Sequence, residues 1–299
     1  MKKSALAAAL MCLAGTVAFS QDRAQLAATG LKGAYLGQRP PGFTPEVFAP
    51  GIVSTPTGWE AAISFVPGGE EMFFTRRLSI QGNENRILSM QVKNGTWTAP
   101  APPPFATDAI EYEAFVAPDG RRIFYNSGRP KPGGSVAVGE IWYSDRTAGG
   151  WSEARYLSDV INRGWVMFVT AARNGTLYFT AGYNRKFGIY RSVLRNGEYQ
   201  EPEFLHDEVN AVRGAHPFVA PDESYLIFDA QPAGMGKSQL FVSFRTADGN
   251  WTRAVKFDAT INATYTENIP NVSPDGKYFF FHRNNDIYWV DARVIDRMR

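Results

Sequence analysis

The sequence has one cysteine, Cys12, and only three histidines. Cys12 lies inside an N-terminal apolar segment that we interpret as a signal peptide, so the rest of the chain has no thiol for a disulfide or a thiolate nucleophile. The histidines are far apart and lack metal-ligand spacing. No Gly-x-Ser-x-Gly elbow or phosphate-binding glycine-rich loop is present. We therefore expect neither a metal nor a cofactor.

The chain also lacks a strong charge imbalance and a second long apolar run. It contains 31 Lys and Arg residues against 29 Asp and Glu, and loss of Lys2 and Lys3 with the signal leaves 29 of each. Nucleic acids and anionic membranes favour basic surfaces, and a membrane span needs about 20 apolar residues. We expect a monomer with no nucleic-acid partner and no membrane span.

Residues 1–20 have the pattern of a cleaved signal peptide. Lys2 and Lys3 precede an apolar stretch at residues 4–19, and Ala18-Phe19-Ser20 fits the small-x-small rule for cleavage before Gln21. The apolar stretch is short for a membrane anchor, and Met11 stands where a lipoprotein needs a small residue before Cys12. We predict a periplasmic or secreted protein, with residues 21–42 as a leader on its surface.

A repeat of roughly 50 residues fills the chain from residue 43 to residue 299. Each copy has a tight turn, an aromatic strand and a third strand, in which an Ile or Leu stands beside an aromatic residue in most copies. In the first four copies a Gly then comes one or two residues before a Trp or Tyr. Proline presets φ for the turn, and Asp-Gly or Asn-Gly supplies the positive φ of a short hairpin. The five turns are Pro67-Gly68-Gly69, Pro118-Asp119-Gly120, Arg173-Asn174-Gly175, Pro221-Asp222-Glu223 and Pro274-Asp275-Gly276.

Five such copies predict an all-β fold, a five-bladed β-propeller of four-stranded antiparallel blades. The fifth copy ends after its third strand and is followed by residues 292–299, which we interpret as a short helix. Residues 45–53 match the segments that join the other copies. We predict that this N-terminal strand completes the last blade and closes the ring, which removes an exposed edge.

The Pro-Asp-Gly turn, aromatic strand and Asp-Ile-Tyr pattern resemble the PD40, or WD40-like, repeats of TolB-type periplasmic propellers. The match is strongest at residues 117–125 with 140–143 and at residues 273–283 with 286–289. TolB has six blades and a separate α/β domain, for which this chain has no room. The resemblance implies a propeller fold and a broad role in periplasmic protein recognition, and it implies no particular partner.

Candidate site residues follow from the repeat. In such blades the first strand lines the central channel, and the residue seven before each turn comes near one channel mouth. Glutamate occupies that position in three copies, and arginines follow the second strand in four. Three further residues, Glu113, Trp165 and His216, break the repeat on the same face. The candidates are Glu60, Glu111, Glu267, Arg76, Arg129, Arg185, Arg283, Glu113, Trp165 and His216.

These residues support two functions. A mouth with carboxylates, guanidinium groups and tryptophan suits a binding module for a protein or a glycan. Alternatively, Glu60, Glu111 and Glu267 are the acids of a carbohydrate-active enzyme resembling a glycoside hydrolase. The repetition favours a third interpretation for the Glu and Arg residues, in which they pair with each other and join the blades. Because the exceptions escape that explanation, we expect the site at Glu113, Trp165 and His216.

Overall fold

A computed structural model describes residues 30–134, 139–231 and 238–299. The predicted signal peptide, residues 1–20, lies outside the described residues. Five antiparallel sheets form a closed five-bladed propeller, as predicted. In the described residues no helix has the length and apolar character needed to cross a membrane.

The elements are numbered in chain order. The first strand, β1, is Glu46–Val47. Blade I contains β2 (Trp59–Phe65), β3 (Glu71–Arg77), β4 (Asn85–Lys93) and β5 (Thr96–Trp97). Blade II contains β6 (Glu111–Val116), β7 (Arg122–Ser127), β8 (Glu140–Thr147), β9 (Gly150–Trp151) and β10 (Arg155–Tyr156). Blade III contains β11 (Trp165–Ala171), β12 (Leu177–Tyr183), β13 (Lys186–Ser192) and β16 (Glu203–Phe204), with an added hairpin of β14 (Leu194–Arg195) and β15 (Glu198–Tyr199).

Blade IV contains β17 (Gly214–Val219), β18 (Tyr225–Ala230), β19 (Gln239–Phe244) and β20 (Val255–Lys256). Blade V contains β21 (Glu267–Val272), β22 (Tyr278–Arg283) and β23 (Asp286–Asp291). The helical elements are a 3-10 turn at Ala34–Gly37, α1 (Asp207–Asn210) and α2 (Arg293–Asp296). The helix predicted at residues 292–299 is therefore only one turn long.

Strand β1 completes blade V and closes the ring. Glu46 pairs with Trp289 and Val47 with Tyr288 of β23. The next residue, Phe48, is fully buried and packs edge-on against Trp289, with ring centroids 5.2 Å apart. The prediction that an N-terminal strand supplies the missing edge is confirmed.

Tryptophans between the third and the outermost strand hold neighbouring blades together. Trp151 of blade II packs edge-on against Phe73 in the second strand of blade I, at 5.8 Å between centroids. Trp251 of blade IV packs in the same way against Tyr178 of blade III, at 6.1 Å. Burial of such large rings is a strong apolar stabilisation, so the repeated Gly-Trp turn serves the contact between blades.

A β-bulge interrupts each of the five inner strands near its start. At each bulge the register with the second strand shifts, and one non-glycine residue takes a positive φ. Those residues are Ala62, Glu113, Phe168, His216 and Ile269. Ala62, Phe168 and Ile269 come from three different blades and yet share one apolar cluster, which only the centre of the ring permits. The bulge thus turns one side chain per blade onto the propeller axis.

Candidate functional site at the channel mouth

The predicted Glu–Arg pairs form, but inside the blades. In blade I the Arg76 Nε donates to Glu60 Oε1 at 2.9 Å, and the Thr55 backbone N–H and hydroxyl donate to the same carboxylate. The second arm of Arg76 donates to the carbonyls of Ile52 and Val53, in the segment that arrives from blade V. Glu60 is completely buried. The Glu60–Arg76 pair therefore fastens the segment that connects blade V to blade I.

Blades II and V repeat this arrangement. Arg129 is paired with Glu111, and Arg283 Nε lies 3.0 Å from Glu267 Oε1. The threonines are Thr107 and Thr264, and both arginines also donate to backbone carbonyls of the incoming connection. Like Glu60, Glu111 and Glu267 have no exposed surface. All three carboxylates are the first or second residue of an inner strand, and they are closed off from solvent.

Blades III and IV lack the pair. Val166 and Gly214 occupy the glutamate position. Arg185 lies exposed in the hairpin turn between β12 and β13, with a φ of 66°. In blade III the Tyr183 hydroxyl donates to the Ile161 carbonyl of the incoming connection, which substitutes for the arginine contact seen in the other blades.

Glu113 and His216 meet across the channel. They occupy the axial bulge positions of blades II and IV, and His216 Nε2 lies 3.7 Å from Glu113 Oε1. The other ring nitrogen, Nδ1, lies 2.7 Å from Asp229 Oδ1. Asp229 also accepts hydrogen bonds from the Ser238 hydroxyl at 2.9 Å and from the Ile269 backbone N–H at 3.1 Å. The row Glu113–His216–Asp229, which we call the axial cluster, has no counterpart in the repeat.

Burial and charge shift the titration of this cluster. Burial raises the pKa of Glu113 to about 7, although the His216 charge and the Phe168 backbone N–H partly offset it. Burial opposes the charge of His216, but Asp229 and Glu113 outweigh it and raise the pKa of the imidazole above its ordinary value. The two carboxylates therefore favour the imidazolium form of His216, and Glu113 is poised between its two forms near pH 7.

His282 stands beside the axial cluster in a different state. Its Nδ1 lies 2.8 Å from Asn268 Oδ1, so Nδ1 carries the proton and Nε2 is an acceptor. Burial, followed by the charges of His216 and Arg77, lowers the pKa of His282 to about 3. Its ring packs against Trp59 at 4.9 Å. His282 is thus a neutral hydrogen-bond acceptor beside a charged imidazolium.

The rim of the mouth is apolar. Trp165, 44% exposed, stacks on Phe187, 37% exposed, with ring centroids 5.5 Å apart. The described residues include eight exposed large hydrophobic side chains, and six of them start inner strands or lie in the loops and turns at the mouth. Those six are Leu78, Ile80, Ile110, Trp165, Phe187 and Tyr265. Sequence reasoning identified Trp165 and missed Phe187, because a phenylalanine near the start of a third strand looks like a buried strand residue until the register is known.

The geometry lends little support to glycosidase activity. Such enzymes need two carboxyl groups flanking an open space for the sugar and a water. Glu60, Glu111 and Glu267 are buried in ion pairs, and the ring of His216 fills the space between Glu113 and Asp229. No carboxylate pair among these residues flanks a solvent-filled gap.

Two cavities lie on the opposite face, at the Pro-Asp-Gly turns, where no site was predicted. One, of about 660 Å³, lies between blades II and III, where Arg122 is paired with Asp145 at 2.7 Å. The other, of about 80 Å³, lies on the axis between Phe65, Phe115 and Phe218. In the first cavity the Arg122 guanidinium is already neutralised by Asp145, and the second cavity is small and apolar.

Comparison with known proteins supports the fold only. The sequence matches no protein-family model and no curated protein. Among solved structures, the catalytic domain of a Coprinopsis cinerea GH62 α-L-arabinofuranosidase superposes with a TM-score of 0.51 at 9% identity, covering 84% of this chain and 97% of that one.

TolB proteins are also similar in structure. A putative TolB from Agrobacterium tumefaciens gives a TM-score of 0.49 at 16% identity, with 76% of this chain and 70% of that one covered. TolB from Acinetobacter baumannii gives 0.48 at 14% identity and 78% coverage of this chain. The chain spans about half the length of that TolB, 52%. At these TM-scores and identities the two TolB structures assign neither a family nor an activity to this chain.

Proposed function

We propose that this chain is an exported protein-binding module that docks a partner protein on the channel-mouth face. The observation that carries the proposal is the concentration of exposed apolar side chains there, six of eight in the described residues. Soluble monomers rarely expose contiguous apolar surface unless it binds something. The signal-peptide pattern of residues 1–20 supports an exported protein, either in the periplasm or outside the cell.

The stacked Trp165–Phe187 pair is the anchor of this face. Buried aromatic side chains carry a large share of interface energy, and two rings already packed together lose little side-chain entropy on binding. The other exposed residues are spread over blades I, II and V, which matches the extent of a protein interface better than that of a single sugar ring. A glycan is therefore the less favoured ligand.

The test is retention of periplasmic or secreted proteins from the source organism on the immobilised mature chain. Bands retained by the wild type should be lost with the Trp165→Ala/Phe187→Ala variant and kept with Val255→Ala. Val255 is a matched control because it is exposed and apolar but lies on outer strand β20. Loss of two anchor rings costs about 2 kcal/mol or more, which is about 30-fold in affinity. Equal retention by all three proteins, or saturable binding on a glycan array without any retained protein, would contradict the proposal.

A further inference from the structure

The axial cluster is one positive charge short. Glu113 and Asp229 are two carboxylates, and His216 is the one cation between them. Asp229 accepts three hydrogen bonds, from His216, Ser238 and the Ile269 backbone, so the imidazolium and two neutral donors satisfy it. Glu113 has only the Phe168 backbone N–H and a contact to His216 at 3.7 Å, which is beyond hydrogen-bond distance. A buried charge needs a partner, and Glu113 has an incomplete one.

Two buried polar atoms beside the cluster have no hydrogen-bond partner in the described residues. They are Glu113 Oε2 and His282 Nε2. The residues are 6% and 4% exposed, so bulk water does not satisfy these atoms freely. Both are acceptors, because the Glu113 carboxylate has no proton when ionised and the His282 proton is on Nδ1. Both also flank His216, which contacts Glu113 and whose charge acts on His282.

Arg77, whose charge acts on His282, does not fill the gap. Its guanidinium lies over the Trp59 ring at 4.6 Å, and its Nε donates to Asn85 Oδ1 at 2.9 Å. Trp59 in turn packs on His282. The missing group must therefore be a compact cation with several N–H donors that reaches the axis from the mouth.

We propose that the floor of the channel mouth is a binding subsite for a primary ammonium group, which donates to Glu113 Oε2 and His282 Nε2 and supplies the missing positive charge. An ammonium has three donors and a small radius, which suits two acceptors in a narrow channel. For the source of that ammonium the inference rests on the proposed function: a lysine side chain or the N-terminus of the docked protein. A neutral hydroxyl group has a single donor, so it would satisfy only one of the two acceptors and would leave the charge uncompensated.

Binding should strengthen as the pH rises through 7. The subsite needs an ionised Glu113, whose pKa burial raises to about 7. The charged and titratable groups facing it are His216, Asp229 and Tyr112, with His282 and Arg77 alongside. Since about a tenth of a pKa-7 acid is ionised at pH 6 and about nine tenths at pH 8, the affinity should fall about tenfold between pH 8 and pH 6.

The experiment uses n-butylammonium as the probe and 1-butanol as its neutral analogue. The chain has only three histidines, so the imidazole Cε1–H protons give three NMR signals, assigned with single His→Gln variants. At pH 8 we expect n-butylammonium to shift the His216 and His282 signals saturably and leave His206 unmoved, and 1-butanol to do neither. Glu113→Gln should weaken the affinity at least tenfold, whereas Glu153→Gln, an exposed control outside the mouth, should leave it unchanged.

Several outcomes would overturn the subsite. They are the absence of a saturable shift with n-butylammonium, an equal response to 1-butanol, or unchanged affinity in Glu113→Gln. His282→Gln is a second variant with an intact Glu113, and thermal melting of both variants shows that they are folded. Butylammonium binding does not require the partner protein, so measuring it on the Trp165→Ala/Phe187→Ala variant separates the two proposals. If that variant binds butylammonium and also retains the partner proteins, the docking face is wrong and the subsite stands.

Discussion

Glu267 and Glu113 are both buried glutamates of inner strands, yet their surroundings differ completely. Glu267 accepts from Arg283 at 3.0 Å and from Thr264, and the same arginine binds the backbone of the incoming connection. Glu113, two positions further along its own strand than the equivalent Glu111, has instead a 3.7 Å contact from its Oε1 to His216. In both glutamates Oε2 has no hydrogen-bond partner, so the difference lies at Oε1. The Oε1 of Glu267 completes a contact between blades, and that of Glu113 faces an imidazole on the axis.

The difference shows how a repeat separates architecture from function. The Glu–Arg–Thr arrangement recurs in blades I, II and V, where the arginine donates to carbonyls of the incoming connection. The axial bulge position also recurs, but three blades fill it with apolar side chains and only two with titratable ones. Natural sequences break local rules mainly at functional or strained sites, and Glu113 and His216 are such breaks.

The largest expected effect is at a repeated pair. Arg76→Ala leaves Glu60 buried without its cation, so we expect a loss of about 3–5 kcal/mol in the free energy of unfolding. Urea denaturation at pH 7 measures it. The Glu60→Leu/Arg76→Met double variant should recover most of the loss, because an apolar pair removes both charges. If Arg76→Ala lowers the free energy of unfolding by less than about 0.5 kcal/mol, the pair has no architectural role.

The next effect distinguishes the two histidines at the mouth. His216 should titrate above its usual range, because Asp229 and Glu113 outweigh the burial penalty, and His282 should stay neutral down to pH of about 3. In the unfolded chain His282 takes its proton near pH 6.5, so this residue destabilises the fold as the pH falls below that value. Histidine NMR titration follows both, and Asp229→Asn should lower the His216 pKa. Protonation of both rings at the same pH would contradict the cluster.

Most of the fold could be predicted from sequence, because turn chemistry and aromatic spacing are local signals repeated five times. The closing strand was also predictable, since residues 45–53 match the other inter-blade segments. The orientation of the glutamates was not, because the bulge that moves the axial position by two residues leaves no mark in the hydrophobic pattern. Asp229 was missed as a partner of His216, because its role appears only when β17 and β18 are placed in register.

The smallest effect concerns the one predicted arginine without a glutamate. Arg185 is exposed in the β12–β13 turn, and its blade has Val166 at the glutamate position. Arg185→Ala should change the free energy of unfolding by no more than about 0.5 kcal/mol. The same denaturation experiment as for Arg76→Ala measures it. A loss of several kcal/mol would mean that Arg185 makes a stabilising contact in blade III equivalent to the Glu–Arg pair of the other blades.

The most direct test compares Glu267→Gln with Glu113→Gln by urea denaturation at pH 8. Glu267→Gln should destabilise the protein by about 3–5 kcal/mol, because Arg283 loses its buried partner. Glu113 has a folded pKa of about 7, above that of a glutamate in an unfolded chain. Its contribution to stability is therefore lost as the pH rises through 7, and Glu113→Gln should stabilise the fold at pH 8 by up to about 3 kcal/mol and by little at pH 4. Opposite signs at pH 8 are the predicted result, and a comparable loss of stability in both variants would contradict the division between architecture and site.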